Sequence, residues 1–229
     1  MNQAMQVFIG SMFGDGNIFP NEGRHHAYSE IHSLKQKDYL LWKMRLMSKE
    51  FNFANSPYIF DTYDKRTKKI YHHVKINCSN KKKLEGYYKI FYKNGRKIIP
   101  IKFLYKLNRL GLAIWYQDDG YYNYGRFNSL FSTDAFTYKK ILIIMKFFRI
   151  KFGIQSRIVK KGDAYNVEFD KFNTEKFLKL VKNHIHPTMT YKLGHLDKNN
   201  ENKIIRAKKV TSKNKHRYYL NHKDKIINY

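Results

Sequence analysis

The sequence predicts an α+β protein made of two similar halves, each with the order helix, two strands, helix, two strands, helix. Two observations support this prediction. A largely apolar helical segment that ends in Asp-Gly occurs twice, as FIGSMFGDG over 8–16 and LAIWYQDDG over 112–120, and similar elements follow each copy. We therefore expect a first half over 1–94, a linker over 95–106, a second half over 107–194 and a basic extension over 195–229.

Each repeated segment places a carboxylate at the end of a helix. Glycine adopts the left-handed conformation at little cost, so we expect Gly16 and Gly120 to end the two helices in that conformation. The last turn of a helix carries partial negative charge, which makes Asp15 and Asp119 unfavourable there unless a cation binds. Oxygen ligands favour magnesium or calcium over zinc.

The first segment also carries small residues at helical spacing. Gly10 and Gly14 are four residues apart, so they share one helix face and would let another backbone approach closely. Ordinary helix packing explains such spacing equally well when it is considered alone. The repeated Asp-Gly ending favours the interpretation that the two segments pack against each other.

The elements after each segment follow in one order. Apolar periodicity predicts, in the first half, a hairpin over 17–19 and 28–34, a helix over 40–51, strands over 58–63 and 69–77, and a helix over 84–91. The second half gives a hairpin over 121–133, a helix over 141–152, strands over 156–160 and 165–169, and a helix over 177–184. The order of elements matches, which is a weaker statement than matched residues.

One strand shows a clear alternation between two faces. Ile70, His72, Val74 and Ile76 are expected on the core face, and Lys69, Tyr71, His73 and Lys75 on the exposed face. Such an exposed face offers donors and acceptors to base edges, and antiparallel ribbons fit the major groove. For any single residue, an ordinary solvated surface is the alternative interpretation.

The charge of the chain indicates a polyanionic partner. Its 229 residues include 45 Lys and Arg against 18 Asp and Glu, which gives a formal net charge of +27, far more than solubility requires. Composition alone favours a ribosomal or non-specific nucleic-acid binder. Aromatic residues make up 17% of the chain, which favours a folded body over a basic tail.

Several other classes of protein are disfavoured. The single cysteine, Cys78, excludes an intrachain disulfide and a cysteine zinc cluster, and we expect it to be buried in a strand. The pairs His25-His26 and His72-His73 lack the spacing of a helical metal site. No apolar segment approaches the roughly 20 residues that span a bilayer, and Met1 to Gln6 lacks a leader pattern, so we expect no membrane partner and an intracellular location.

The two segments resemble the paired motifs of the LAGLIDADG homing endonucleases, in the form that carries both motifs in one chain. The matching positions are Gly10, Gly14, Asp15 and Gly16 in the first segment and Leu112, Ala113, Asp119 and Gly120 in the second. The chain departs from the pattern at Phe13, Ile114 and Asp118, so we expect looser helix contact near the last two. The resemblance implies motif helices packed at a central pseudo-two-fold axis, beneath saddle-shaped antiparallel sheets that bind DNA.

The resemblance also implies an active site. Asp15 and Asp119 would be catalytic and would bind metal, with Gly14 and Asp118 as further ligand positions. Lys97 and Lys192 correspond to lysines that reach the site from opposite sides, where they would position water and stabilise charge on phosphate. The implied metal is Mg²⁺, with Mn²⁺ or Ca²⁺ able to occupy the same sites. Gly10, Gly14 and Ala113 would form the helix interface.

The implied function is site-specific cleavage of both strands of a long double-stranded DNA target, leaving 3′ overhangs, by an intron-encoded monomer. The alternative is an intron maturase, with intron RNA as a partner, or a DNA-binding regulator that does not cleave. The expected location is a bacterial or phage cytoplasm, or an organelle matrix. The candidates for contact with bases or phosphates are Arg24, His26, Glu30, His32, Lys69, Tyr71, His73, Lys75, Arg126, Asn128, Arg157, Lys160, Lys161, Asn166 and Glu168.

Residues 195–229 lie outside the repeat. They include ten Lys and Arg against three acidic residues. A charge run of this kind is usually a solvated tail, and a segment that lies along DNA phosphates is the alternative.

Overall fold

The computed structural model describes residues 1–21, 24–53, 57–79, 81–134, 136–162 and 164–226, and it contains the same succession of elements twice. The first half consists of α1 (Gln3–Phe13), β1 (Asn17–Asn21), β2 (Arg24–Ser33), α2 (Lys37–Met47), β3 (Tyr58–Asp64), β4 (Lys69–Ser79) and α3 (Lys81–Phe91). A connection follows with β5 (Tyr92–Lys93), β6 (Arg96–Lys97) and α4 (Ile101–Leu104). The second half consists of α5 (Arg109–Asp119), β7 (Gly120–Asn123), β8 (Asn128–Phe131), α6 (Tyr138–Phe152), β9 (Arg157–Lys161), β10 (Ala164–Phe169) and α7 (Lys171–Val181). The chain then continues into α8 (Glu201–Ile226).

The two motif helices α1 and α5 form the centre of the molecule. Each begins at an asparagine whose side chain accepts a hydrogen bond from a backbone N–H of the first turn, Asn2 from Met5 at 3.0 Å and Asn108 from Gly111 at 3.1 Å. Residues 4–13 of α1 and 110–117 of α5 are all buried. A helix that is covered on all sides belongs to a core, and these two helices cover each other.

Glycines of α1 receive the larger residues of α5. A Cβ placed on Gly10 would lie 2.8 Å from the Ile114 Cβ, and one placed on Gly14 would lie 2.5 Å from the Asp118 Cβ. The expectation of looser contact near Ile114 and Asp118 is therefore wrong. The space that their side chains need is provided by the glycines of the facing helix.

The glycines after the two aspartates serve a different purpose from the predicted one. Neither Gly16 nor Gly120 has a positive φ, and Gly120 is extended, with φ −77° and ψ 152°. Instead, a Cβ on Gly16 would lie 2.8 Å from the Ser11 carbonyl oxygen, and a Cβ on Gly120 would overlap Tyr116. The prediction of left-handed helix ends is wrong, because these positions require glycine for close packing and not for its φ angle.

The strands form two four-stranded antiparallel sheets with the same topology. The order is β1-β2-β4-β3 in the first sheet and β7-β8-β10-β9 in the second. The helices of each half pack on one face of its sheet, with Val74 and Ile76 buried in the first and Val167 and Phe169 in the second. The predicted α+β class with two pseudo-symmetric halves is confirmed.

The predicted alternation of β4 holds for only part of the strand. Val74, Ile76 and Cys78 are buried, as predicted, and burial raises the pKa of the Cys78 thiol to about 12. Ile70 and His72, which were expected on the core face, are exposed. This end of β4 pairs with β3, most of whose residues are exposed, so the β3–β4 hairpin extends past the core.

The connection and the C-terminal segment are more regular than the sequence predicts. The connection turns through Asn94 and Gly95, with φ values of 51° and 70°, between β5 and β6. Within the C-terminal segment, residues 201–226 form a 26-residue helix, and most of its described side chains are exposed to solvent. Asn200, just before α8, anchors it by donating to the carbonyl oxygens of Thr190 and Gly194, each at 3.0 Å. Within the described ranges, no helix combines the length and apolar character needed to cross a bilayer.

Candidate active site at the paired helix ends

Asp15 and Asp119 occupy corresponding ends of the motif helices. Asp15 lies two residues after α1, with its side chain 39% exposed, and Asp119 is the last residue of α5. Burial raises the pKa of Asp119 to about 7, and the negative charges of Asp15 and Asp118 add to this shift. The two predicted carboxylates therefore lie close enough for the charge of one to oppose ionisation of the other.

A lysine lies against the end of each motif helix. The Lys97 ammonium donates to the carbonyl oxygens of Gly14 at 2.8 Å and Gly16 at 2.7 Å. The Lys192 ammonium donates to those of Gln117 and, at 3.2 Å, Asp118. Both lysines therefore satisfy carbonyl groups that a helix leaves unpaired at its C-terminal end.

Both lysines also interact electrostatically with the carboxylates of the site. Burial lowers the pKa of Lys97, against the opposing effects of Asp119 and Asp15. Burial likewise lowers the pKa of Lys192, against Asp118, Asp15 and Asp119. The four side chains that the sequence predicts to be catalytic are thus brought to one place by elements of both halves.

A buried charged network joins the first half to the second motif helix. The Lys43 ammonium, on α2, donates to Glu30 Oε1 on β2 and lies 2.8 Å from Asp118 Oδ1 on α5. Tyr39 also donates to Asp118 Oδ1, at 2.8 Å, and Tyr28 donates to Glu30 Oε2 at 2.7 Å. The side chains of Glu30, Lys43 and Asp118 have no exposed surface. Two carboxylates therefore share one buried ammonium group.

Titration of this network is governed by burial and by the shared ammonium. Burial alone would raise the pKa of Glu30, but Lys43 and His32 outweigh it and hold that pKa far below its ordinary value. Burial raises the pKa of Asp118 to about 6 despite Lys43, because Glu30 and Asp15 repel its charge. Lys43 therefore favours the ionised form of both carboxylates, and burial outweighs this effect at Asp118.

His32 connects this network to Asp15. Its Nε2 atom lies 2.9 Å from Glu30 Oε1 and 3.7 Å from Asp15 Oδ2, and its Nδ1 atom lies 3.1 Å from Gln36 Oε1. Burial and Lys43 lower the pKa of His32, whereas Glu30 and Asp118 raise it, and the net effect is a raised pKa. The imidazole therefore faces acceptor oxygens at both ring nitrogens.

The site has the chemistry of a divalent-cation site. Asp15, His32 and Asp118 each offer a ligand atom within 4.8 Å of the others. Among the described atoms, buried Asp118 Oδ2 has no hydrogen-bond partner. Lys43 pairs with Asp118 Oδ1 only, so among the described groups the acidic oxygens without an ammonium partner are those of Asp15, those of Asp119 and Asp118 Oδ2. The Gly14 carbonyl oxygen accepts from Lys97, which leaves one lone pair for a ligand. Oxygen donors of this kind fit Mg²⁺, Mn²⁺ or Ca²⁺.

Several predicted DNA contacts lie inside the protein. Their placement on an exposed sheet face is wrong for Glu30, His32, Asn128, Asn166 and Glu168, which are all buried. Glu30 and His32 belong to the charged network. The Asn166 side chain accepts from Thr133 N at 3.0 Å, and Glu168 accepts from Arg157 Nε at 2.7 Å. Four of these residues have partners inside the protein, as expected because an unpaired buried polar group is costly, whereas Asn128 Oδ1 has none among the described residues.

Most of the other candidates for DNA contact lie at the protein surface. Lys69, Tyr71, Arg126, Arg157 and Lys160 are exposed, and His26, His73 and Lys75 are half-buried. His26 packs against Tyr88, with ring centroids 4.5 Å apart. The side chains of Arg24 and Lys161 lie outside the described part of the chain.

Sequence reasoning missed Lys43, Tyr39 and Gln36. A signal for Lys43 exists, because it follows Leu40 by three residues and precedes Met47 by four, which places it on the buried face of α2. A lysine on an apolar helix face indicates a buried ion pair. Its partners on β2 and α5 could not be identified from α2 alone.

The chain belongs to the LAGLIDADG DNA endonuclease family, whose model matches residues 5–177. This assignment agrees with the fold and with the two acidic helix ends. The chain is a two-motif, single-chain member of the LAGLIDADG homing endonucleases.

Relatives and solved structures agree with the family. The chain is 28% identical over 202 residues to the cytochrome b mRNA maturase bI2 of Debaryomyces hansenii, covering 84% of this chain and 74% of the maturase. It is 26% identical over 216 residues to the RecA protein of Mycobacterium shimoidei, covering 84% of this chain but only 46% of that protein. The fold is similar to that of the homing endonuclease I-WcaI bound to its DNA recognition sequence, with a TM-score of 0.74, 20% identity, and coverage of 83% and 85% of the two chains.

Proposed function

We propose that this chain is a site-specific endonuclease that hydrolyses both strands of a long double-stranded DNA target with the help of divalent cations. The observation that carries the proposal is the pairing at the helix ends, where one aspartate and one lysine lie at the end of each motif helix. Two similar sets of groups suit the two strands of a duplex, which are themselves related by a two-fold axis. Cleavage across the minor groove would leave 3′ overhangs.

Asp15 and Asp119 would hold the cations, with Mg²⁺ as the physiological ion. Bound Mg²⁺ would supply an activated water and charge stabilisation at the leaving oxygen. Lys97 uses two of its three ammonium donors on the carbonyl oxygens of Gly14 and Gly16, so the third can reach water or phosphate. Its position is fixed by the helix end, which is the kind of preorganisation that stabilises developing charge.

The protein surface would supply the affinity for DNA. Arg126, Arg157, Lys160 and Lys69 are exposed on or beside the two sheets, and the net charge is +27. Neutralised phosphates release counterions, so such a surface gives tight but salt-sensitive binding. We propose that the chain acts as a monomer, because it already contains both motifs.

The proposal is tested by selecting a cleavage site from a randomised duplex library in Mg²⁺. We expect cutting of both strands at one long site, and we expect EDTA to abolish it. Asp15→Asn and Asp119→Asn should each abolish double-strand cleavage and retain site binding. Exposed Asp134 provides the matched control, and Asp134→Asn should cut as the unmodified protein does. Full double-strand cleavage by either motif variant would refute the assignment.

A maturase is the second candidate function, because one relative is named a cytochrome b mRNA maturase. The same preparation should then prefer structured intron RNA to duplex DNA and should leave the duplex library intact. A protein that shifts one duplex without cutting it would be a DNA-binding regulator. The retained pair of carboxylates favours the nuclease, since a protein that only binds phosphates has no need of acidic groups beside them.

A further inference from the structure

The two halves differ in the charged side chains that surround their motif aspartates. In the first half, Glu30 and Lys43 are fully buried and ion-paired, and His32 is packed between Glu30 and Asp15. Within the described part of the chain, no salt bridge involves the Asp119 carboxylate. The acidic groups of the two halves are therefore held in different ways.

The strand register identifies the corresponding residues of the second half. Asn17 pairs with Ser29 in the first sheet, and Tyr121 pairs with Leu130 in the second. Asn17 and Tyr121 each lie two residues after the motif aspartate. Glu30 therefore corresponds to Phe131, and His32 corresponds to Thr133.

The helix starts identify the counterpart of Lys43. Gln36 and Thr137 are the N-caps of α2 and α6, so Lys43 corresponds to Ile144. Phe131 and Ile144 are fully buried and apolar. The two side chains that form an ion pair in one half thus correspond to two buried apolar side chains in the other.

Two side chains hold the imidazole of His32, one at each ring nitrogen. Glu30 fixes its Nε2 side at 2.9 Å, and Gln36 faces Nδ1 at 3.1 Å. Gln36 in turn donates to the Tyr191 hydroxyl at 3.1 Å, beside Lys192 of the second half. Among the described residues, Lys43 and Asp118 also lie within 4.0 Å of Nε2, and both are fully buried. Asp15, at 3.7 Å, is the charged neighbour of His32 in this part of the chain that has an exposed side chain. In contrast, Thr133 Oγ1 donates away from the site, to the Tyr165 carbonyl oxygen at 2.6 Å.

We propose that His32 is a positioning residue for Asp15, anchored by Glu30 and Lys43, and that the second half has no equivalent. The consequence is that only the strand processed at Asp15 depends on His32. The strand processed at Asp119 depends on the Asp119 carboxylate and the Lys192 ammonium, and within the described residues His32 forms no hydrogen bond or ion pair with either. His32 approaches the second motif at Asp118 Oδ1, 4.0 Å away. The inference rests on the proposed nuclease function and extends it to a difference between the two strands.

The experiment follows the two strands separately. A supercoiled plasmid carrying the selected site reports nicking and linearisation, and a duplex labelled at either end identifies the strand that is cut. With His32→Ala we expect nicked circles to accumulate, with one strand slowed about 10- to 100-fold as expected for a misplaced catalytic group. The other strand should be cut at the rate of the unmodified protein. His32→Gln, which retains a donor for Glu30, should restore part of the lost rate on the slow strand.

Thr133→Ala is the matched control, because it alters the corresponding position of the second half. It should leave both strand rates unchanged. Equal slowing of both strands by His32→Ala, or by His32→Gln if the alanine variant does not fold, would overturn the proposal and identify a purely structural role. Unchanged rates would overturn it as well. If the unmodified protein cuts neither strand, the nuclease function itself fails, which is a separate and recognisable result.

Discussion

The Lys43 ammonium lies 2.8 Å from Asp118 Oδ1, a contact that joins the second helix of the first half to the motif helix of the second half. Glu30 accepts from the same ammonium, and no atom of these three side chains reaches solvent. The contact between the two halves therefore depends on the Lys43 ammonium, because water cannot reach the two buried carboxylates to solvate them in its place.

Replacing Lys43 by methionine should strongly destabilise the protein. The substitution keeps the length of the side chain but leaves Glu30 and Asp118 buried without a cation, which costs about 3–5 kcal/mol. Urea unfolding would measure the loss. Lys49→Met, at an exposed lysine just after α2, should change the free energy of unfolding by less than about 0.5 kcal/mol. Similar values for the two variants would show that the network contributes little.

The network also predicts a loss of stability in acid. The folded-state pKa of Glu30 is lowered from its ordinary value of 4.5, so its contribution is present above about pH 4.5 and is lost as the pH falls. We expect the stability difference between the unmodified protein and Glu30→Gln to be largest near pH 6 and to shrink toward pH 3. Urea midpoints across this range would measure it. A difference that does not change with pH would contradict the lowered pKa.

Gly10→Ala should separate the two motif helices. The new methyl group would lie 2.8 Å from the Ile114 Cβ and would also meet the Gly111 backbone, so we expect a loss of about 1–3 kcal/mol from overpacking. Gly86, on α3, is the control because a Cβ there has no neighbour within 4 Å. Gly86→Ala should stabilise the helix, by up to about 1 kcal/mol. Opposite signs in thermal unfolding would confirm the close approach.

Charge reversal on α8 should weaken binding to all DNA sequences by a similar factor. Lys208, Lys209 and Lys213 are exposed on this helix, and we expect their triple substitution by glutamate to lower affinity and flatten its salt dependence, by about 0.9 in slope for each lost phosphate contact. Fluorescence anisotropy at several salt concentrations would measure both. Lys146→Glu, on the outer face of α6, should leave the slope unchanged. An unaltered slope in the triple variant would place α8 away from DNA.

Local patterns predicted the repeated elements and the two motif aspartates, because helix periodicity and the Asp-Gly endings lie in neighbouring residues, whereas Lys97 and Lys192 were implied by the family resemblance. They failed on β2, where Glu30 and His32 point inward and Ile31 is 43% exposed. The inward position of these polar residues depends on Lys43 and Asp118, which come from other parts of the chain. No pattern within the strand could reveal those partners. The glycines after the aspartates were located correctly but explained wrongly, since their neighbours Ser11 and Tyr116 are known only from the fold.

The close contact of α1 with α5 joins unequal surfaces, since Gly10 and Gly14 receive Ile114 and Asp118. Two copies of α1 in the same geometry would place glycine opposite glycine and leave empty space. Two copies of α5 would bring isoleucine against isoleucine and one aspartate against another. In this geometry each motif helix therefore fits its tandem neighbour more closely than it would fit a second copy of itself.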